Sequence, residues 1–348
     1  MSSDVIEAKW IDCFVRAFEL CKVREGEVAA ILSETQSRAI LVKLAELALL
    51  RLKTRPFHLV VPTPAVNAPV PVRSTGHSMA IQENPAVIKA LASSSFVVDT
   101  TVEGLLQATE RGEILAGGTR VFMISNEHPE ILERLLPDPG LKAKVQKGVA
   151  MAKAAKEMRV TSKAGTDLTV DMAEANVGGG WGISDEPGRI DYWPGGLCAF
   201  YPRAGAVNGV IVMDAGDVNL TFKCYLQDRI RLTFEHDYIV DIQGPGLDAE
   251  LMRSYLEAWN DRNAYAISHL GWGMNPKARW DSLTMFDKND VNGTEQRAFA
   301  GNFLFSTGSN RFAKRFTEGH FDLPMRNCTI ALDGRIIVDA GKLVPELS

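Results

Sequence analysis

The sequence predicts a mixed fold: an N-terminal parallel α/β layer over residues 1–158, then a mostly antiparallel, β-rich C-terminal domain over residues 159–348 that would carry the functional site. Three observations predict it. Strand-length apolar runs alternate with helix-length amphipathic ones up to about residue 158, the pattern of a sheet with helices on its faces. From Arg159 onward, strand-like runs follow one another with turn signals between them. Finally, 348 residues, 46% hydrophobic and 23% charged, suffice for two soluble globular units of about 150 residues each.

Residues 4–22 read as an amphipathic helix, because Trp10, Phe14, Phe18 and Cys21 recur at three- to four-residue steps behind an N-cap at Ser3 or Asp4. Val28 to Leu32 is an apolar run suited to a buried strand, Arg38 to Leu52 a helix, and FHLVVP (57–62) a strand. NPAVIKALA (84–92) is helical, while SFVVDTT (95–101) and TRVFMIS (119–125) are strands. HPEILERLL (128–136) and KAKVQKGVAMAKAAKEM (142–158) complete the alternation as helices. Then RVTSKAGTDLTVDM gives two strands about a turn at Ala164-Gly165, VNGVIVMDAG a further strand, and DRIRLTFEHDYIVDIQG a pair folding back at His236-Asp237. AELMRSYLEAWN (249–260) is a helix. In TIALDGRIIVD (329–339), Asp333-Gly334 between two alternating runs is a strong two-residue hairpin signal.

Composition excludes several function classes. A net charge of −5, with Lys and Arg spread along the chain, argues against nucleic acid as a partner. No apolar run approaches the roughly 20 residues needed to span a bilayer. MSSDVIEAKW lacks the basic-then-apolar order of a signal peptide, so a cytoplasmic protein is expected, with small-molecule partners and a homo-oligomeric assembly. Five scattered cysteines without a CxxC pair read as buried free thiols. VGGGWG (177–182) lacks the strand-to-helix context of a dinucleotide loop and reads as a flexible or closely approached backbone.

The stretch from Tyr265 to Met325 holds two of the six histidines, His269 and His320, and Asp322 two residues past the second. In an extended strand, residues two apart share a face. His320 and Asp322 therefore reach one ion together, with Phe321 turned into the packing. A third ligand from a separate segment, His269, completes a two-histidine, one-carboxylate face, which suits non-haem Fe(II) chemistry with O2. His-x-Asp also arises by chance, and the plainer reading makes His320 a loop residue and Asp322 a turn or cap residue before Pro324. Glycines 271, 273, 301 and 308 either let the backbone pass close to metal or substrate or make tight turns. Among the other histidines, His236 fits an exposed hairpin turn, His128 a helix start and His58 the beginning of a buried strand. His77, in STGHSM, fits a site neighbour or a plain loop.

Five ordered segments, DEPGRIDYWPGG (185–196), DAGDVNLTFK (214–223), ISHLGWG (267–273), RAFAGNFLFSTG (297–308) and HFDLP (320–324), resemble the 2,5-dihydroxypyridine 5,6-dioxygenases. The resemblance is continuous from about Arg159 to the C-terminus and thinner before it, where SNEHPE and VVDT are fainter echoes. It implies a mononuclear Fe(II) enzyme of pyridine catabolism that opens 2,5-dihydroxypyridine with O2 to N-formylmaleamate. The family's metal ligands would fall on His269, His320 and Asp322. Arg297, a fork that keeps its charge, and Ser306, a short donor, would lie in the substrate pocket; a structural ion pair is the plain alternative for Arg297. Tyr192, Trp193 and Trp181 would wall a flat aromatic pocket or pack the core. Asp185 and Glu186 would hydrogen-bond a metal-bound His or form a turn before Pro187-Gly188.

The sequence also departs from that family. Relatives tend to carry His where Gln107 stands, and some carry Glu and His where Gly180 and Tyr192 fall. A glutamine amide does not titrate usefully, so proton transfer would pass to Tyr192 or water, or the ring would differ. Two other classes remain. A metallopeptidase is one, since the family's distant relatives include aminopeptidases of similar two-domain build, yet HExxH is missing and two-metal sites need bridging carboxylates. A binding protein without catalysis is the other, against which the intact His269, His320 and Asp322 argue.

Overall fold

In the N-terminal half, strands β1 (Val28–Glu34), β2 (Arg55–Val61), β3 (Phe96–Asp99) and β4 (Arg120–Ile124) join β8 (Ile190–Trp193) in a parallel sheet of order β2-β1-β3-β4-β8. These features come from a computed structural model that describes residues 5–66, 68–70 and 74–348. The helices are α1 (Ala8–Leu20), α2 (Ala39–Arg51), α3 (Pro85–Ala92), α4 (Arg111–Ala116), α5 (Pro129–Arg134) and α6 (Pro139–Ala154). Strand β3 is buried at every residue, as expected of a parallel strand covered on both faces. On α1 the stripe of Trp10, Cys13, Phe14, Ala17 and Phe18 is buried, and Phe18 meets Phe96 and Phe122 edge-on at 5.6 and 6.3 Å.

Three local expectations change. Helix α1 starts at Ala8 behind Glu7, which makes no side-chain cap bond; Ser3 and Asp4 lie outside the described residues. His58 is exposed, because β2 is the edge strand of its sheet. Helix α4 lies inside EGLLQATERGEIL, where no helix was expected.

The rest of the chain is antiparallel, in two sheets and a small ribbon. One sheet has the order β14-β13-β10-β6-β5-β18-β19-β20. It is built from β5 (Glu157–Ser162), β6 (Asp167–Asp171), β10 (Val207–Met213), β13 (Ile230–Glu235), β14 (Tyr238–Gln243), β18 (Cys328–Leu332), β19 (Arg335–Asp339) and β20 (Lys342–Leu343). The second, of order β17-β16-β15-β9-β7, contains β7 (Asn176–Gly180), β9 (Leu197–Tyr201), β15 (Ile267–Gly273), β16 (Phe303–Thr307) and β17 (Phe321–Met325). Strands β11 (Val218–Asn219) and β12 (Cys224–Tyr225) form the ribbon, and helices α7 (Leu247–Ala258) and α8 (Thr294–Ala298) complete the half. All three expected turns between paired strands form, with positive φ at Gly165 (114°), at His236 and Asp237 (48° and 77°) and at Asp333 and Gly334 (48° and 79°).

The two halves interlock. Strand β8 comes from beyond residue 158 yet lies beside β4, where Trp193 stacks on Phe122 at 6.2 Å and meets Phe14 at 5.1 Å. Helix α6 packs on β7 so closely that a Cβ on Gly179 would sit 2.6 Å from a Val145 methyl. All five cysteines are free; four are buried and Cys224 is partly so.

One buried ion pair sets where β15 begins. Asp237, fully buried, accepts from the amides of Gly205 (2.7 Å) and Val207 (2.9 Å) and from Arg315 Nη1 at 2.6 Å. Arg315 Nη2 in turn donates to the carbonyl of Ile267, the first residue of β15, at 2.6 Å. Asp237→Ala strands a buried guanidinium and is expected to cost about 3–5 kcal/mol, read as a lower denaturant midpoint. A loss below about 1 kcal/mol would show that the pair does not anchor β15.

Candidate metal centre

Strand alternation and register place the site. On the second antiparallel sheet, Ser306 of β16 stands opposite Asp322 of β17. Leu270 pairs with Phe200, so His269 stands beside Tyr201, which pairs with Asn176 of β7. Asp322, Ser306, His269, Tyr201 and Asn176 thus form one row across five strands. The next row on the same face is apolar and small: Leu304, Gly271, Ala199 and Gly178. The β15–β16 register shifts between Ile267 and Leu270, at His269. Such irregularities re-aim a side chain.

The three proposed ligands converge. His269 Nε2 lies 3.6 Å from Asp322 Oδ1, and His320 Nε2 lies 3.3 Å from Asp322 Oδ2. The two imidazoles are nearly parallel, 6.1 Å between centroids and 21° between planes. Phe321 points the other way, against Tyr255 (4.5 Å) and Phe222 (5.7 Å). The His320 carbonyl accepts from Thr221 Oγ1 and Tyr255 Oη, each at 3.2 Å. Its ring is clamped by two glycines: a Cβ on Gly76 would sit 2.9 Å from Nδ1, and one on Gly308 3.3 Å from it. Gly301 makes a turn, as one of the two expected readings had it (φ 85°), and all three of glycines 271, 273 and 301 have a further role. Their missing Cβ atoms would collide with the carbonyls of Cys198, Phe299 and Gly341, so they permit close backbone packing.

Hydrogen bonding around the three shows what the site lacks. Arg297 Nε donates to Asp322 Oδ2 at 2.7 Å, with Nη2 also 2.7 Å from that oxygen in the ion pair, and Nη1 donates to Asn292 Oδ1 at 2.9 Å. Ser306 Oγ touches both Asp322 Oδ1 and His269 Nε2, the latter at 3.0 Å. Ser268 Oγ donates to the Ser309 carbonyl and faces His269 Nδ1 at 3.3 Å, which favours the tautomer protonated at Nδ1. One serine proton then serves two acceptors, a bare imidazole nitrogen and a carboxylate oxygen. That surplus of lone pairs is what a cation satisfies, and two imidazoles with one carboxylate are a fitting donor set. Among the described residues no three His, Cys, Asp or Glu are arranged to hold a metal ion as they stand, and Asp322 is contacted by Arg297 and Ser306 instead.

Electrostatics keep the donors in ligand form. Burial raises the Asp322 carboxyl, but the Arg297 guanidinium together with His320 and His269 outweighs it and holds the group well below the usual carboxylate range. Burial pushes the His269 imidazole down to about 4, leaving it neutral. Tyr192 is pushed far up by burial and Tyr201 up to about 12, so both phenols stay protonated.

A cavity of about 430 Å³ opens over the row, lined by His269, His320, Asp322, Arg297, Tyr192 and Gln107 among others; Ser306 lies beneath it. A second, outer cavity of about 470 Å³ contains His77 and shares Gln107, Arg111, Asn176 and Tyr201 with the first. Other expected residues fall elsewhere. Trp193 is core, its Nε1 donating to the Leu135 carbonyl at 2.7 Å, and Trp181 lies under Arg189 at 3.3 Å. Asp185 and Glu186 pair with Lys142 at 2.9 and 3.1 Å rather than with either histidine. Sequence reading missed Tyr201, whose ring leans on His269 at 5.5 Å, and also Asn292, Thr294 and Lys223 on the cavity wall. Thr294 had a signal, lying three residues before Arg297 on one helical turn, whereas Asn292 precedes the helix and its N-cap Gly293.

The depressed His269 fixes a pH dependence for metal-free protein. A folded pKa below the unfolded value gives stability that is complete above pH 6.5 and lost as pH falls through about 4. The loss is about 3 kcal/mol, followed by denaturant unfolding at several pH values. His269→Gln is expected to flatten this limb. A variant limb as steep as the parent's would place the titration elsewhere.

The chain matches the family model described as 2,5-dihydroxypyridine 5,6-dioxygenase over residues 9–345. It is 38% identical over 354 aligned residues to the 2,5-dihydroxypyridine 5,6-dioxygenase of Pseudomonas putida KT2440, covering 99% of both chains. The solved structure of 2,5-dihydroxypyridine dioxygenase from Pseudomonas putida KT2440 superimposes with a TM-score of 0.90 at 36% identity, over 99% of this chain and 100% of that one. Wild-type AmpT from Thermus thermophilus shares the fold alone, with a TM-score of 0.62 at 13% identity over 97% and 99% of the two chains. A match this long, on a sheet that gathers two imidazoles and a carboxylate over one cavity, means that the chain belongs to the 2,5-dihydroxypyridine 5,6-dioxygenase family.

Proposed function

We propose that this dioxygenase uses Fe(II) and O2 to open 2,5-dihydroxypyridine or a closely related hydroxylated pyridine. The observation that carries the reading is the convergence of His269 Nε2, His320 Nε2 and both Asp322 oxygens at one cavity wall. Those three residues would hold the ion. Bound Fe(II) supplies the electron-transfer chemistry that lets a singlet ring react with triplet O2.

The remaining roles belong to the chain. Arg297 holds Asp322 and keeps a positive charge at the wall that draws in an ionised ring oxygen. Ser306 supplies a hydroxyl donor beneath the ligand row. Tyr192, kept protonated by burial, donates a hydrogen bond to the ring and does not take its proton. Gln107 hydrogen-bonds over the mouth, its amide unable to act as acid or base. Water therefore takes the ring-hydroxyl proton where the two cavities meet.

Metal-free protein loaded with Fe(II) under anaerobic conditions is expected to bind one iron per chain and consume O2 with 2,5-dihydroxypyridine. Asp322→Ala is expected to lose both iron and turnover while keeping its circular dichroism. Two zinc or cobalt ions per chain, with peptide hydrolysis in place of O2 uptake, would overturn the reading. For Arg297→Ala, kcat/KM falls about 10- to 100-fold, the scale of one charged hydrogen bond. Unchanged kinetics would remove Arg297 from the site.

A further inference from the structure

The cavity is larger than a single ring requires. About 150 Å³ is enough to hold benzene, whereas this cavity measures about 430 Å³. The excess has a definite place. Ligands stand on β15 and at β17, and beyond them the sheet continues through β9 to its free edge at β7. Two strand spacings carry that floor about 10 Å past β15.

The floor changes character along the way. On β9 and β7 the residues lining the cavity include Leu197, Ala199, Gly178 and Gly180, with Ala199 in register with Gly178 and Leu197 with Gly180. A Cβ on Gly178 would meet nothing within 4 Å, so its missing side chain is open space. A Cβ on Gly180 would come within 2.2 Å of the Tyr192 ring, so only glycine there lets the phenol lie flat against the strand. Leu106 and Met123 join Tyr192 and Leu197 in one apolar cluster. The charged groups bordering this end are engaged elsewhere: Glu103 accepts from Thr75, and Arg111 donates to the Leu106 carbonyl.

We propose that the preferred substrate is a hydroxylated pyridine bearing an uncharged, apolar substituent, a short alkyl chain or a second ring, laid along Ala199 and Gly178 beside Tyr192. The proposal rests on the ring-opening reading above and adds the substrate's second half. The row that binds metal is polar, the neighbouring row is small and apolar, and a substituted ring is the ligand that uses both. A matched methylene in such a pocket changes kcat/KM by about 10- to 200-fold.

The test is O2 uptake by the Fe(II)-loaded full chain with 2,5-dihydroxypyridine and its methyl, propyl and phenyl derivatives at ring carbon 3 or 4. At least one propyl or phenyl derivative is expected to exceed the parent ring in kcat/KM by about 10-fold, chiefly through KM. Gly178→Val, whose backbone lies outside the left-handed region and whose Cβ has clear space, is expected to cut the derivative-to-parent ratio by about 10-fold. Gly178→Ala, the smaller change, gives an intermediate ratio and serves if the valine variant fails to fold. Brisk opening of the parent ring with every derivative slower overturns the proposal and leaves the ring-opening reading intact. An unaltered ratio in Gly178→Val also overturns it. No uptake with any ring defeats the reading beneath it, and this proposal with it.

Discussion

The buried charge on Asp322 is the constraint on which the site depends. A carboxylate taken out of water is costly unless it is paired and hydrogen-bonded, and here the pairing reaches far into the molecule. Arg297 sits on α8, whose first amides would otherwise be unsatisfied. Glu127, fully buried just after β4, accepts from the amides of Asn292 (2.8 Å), Gly293 (2.9 Å) and Thr294 (2.7 Å). At the other end of α8, Asn302 donates to the carbonyls of Gln296 and Arg297. The parallel sheet thus positions the guanidinium, and the guanidinium keeps the carboxylate ionised in the antiparallel half. Neither half makes the site alone.

That arrangement also explains why the ligand row is polar while its surroundings are dry. Strand alternation sends Phe321 and Phe305 into the core, His269 and Asp322 to the cavity, and Ser306 to the layer beneath it. The His269 imidazole is then desolvated enough to stay neutral, while Arg297 is the largest of the influences that keep the carboxylate charged. The same burial that favours neutral nitrogen would discharge the oxygen; the cation beside it separates the two outcomes.

Much of this was legible in the sequence because it is local. Periodicity marked the helices, Asp333-Gly334 marked its hairpin, and the two-residue spacing put His320 and Asp322 on one face. What was not legible depends on pairing between distant segments. Tyr201 neighbours His269 only through the β9–β15 register, and nothing near Tyr201 in the chain announces a site. IDYW joins the first sheet because its aromatic end fills a gap against Phe122 and Phe14, a partnership no local pattern encodes. Asp185 and Glu186 open one of the matching segments, but the turn they occupy faces Lys142 on α6.

The cysteines carry a consequence for handling the protein. Burial pushes the Cys13 thiol up to about 12, and Cys21, Cys198 and Cys328 are raised as well. Cys198 lies on β9 beside Ala199, yet alternation turns it to the opposite face from the cavity. Only thiolates react with alkylating reagents and oxidants at useful rates. A dioxygenase, which meets O2, therefore keeps these sulfurs both shielded and protonated. Thiol labelling at these positions becomes a clock for transient opening of the fold, with the rate at each cysteine timing the excursion of its own layer.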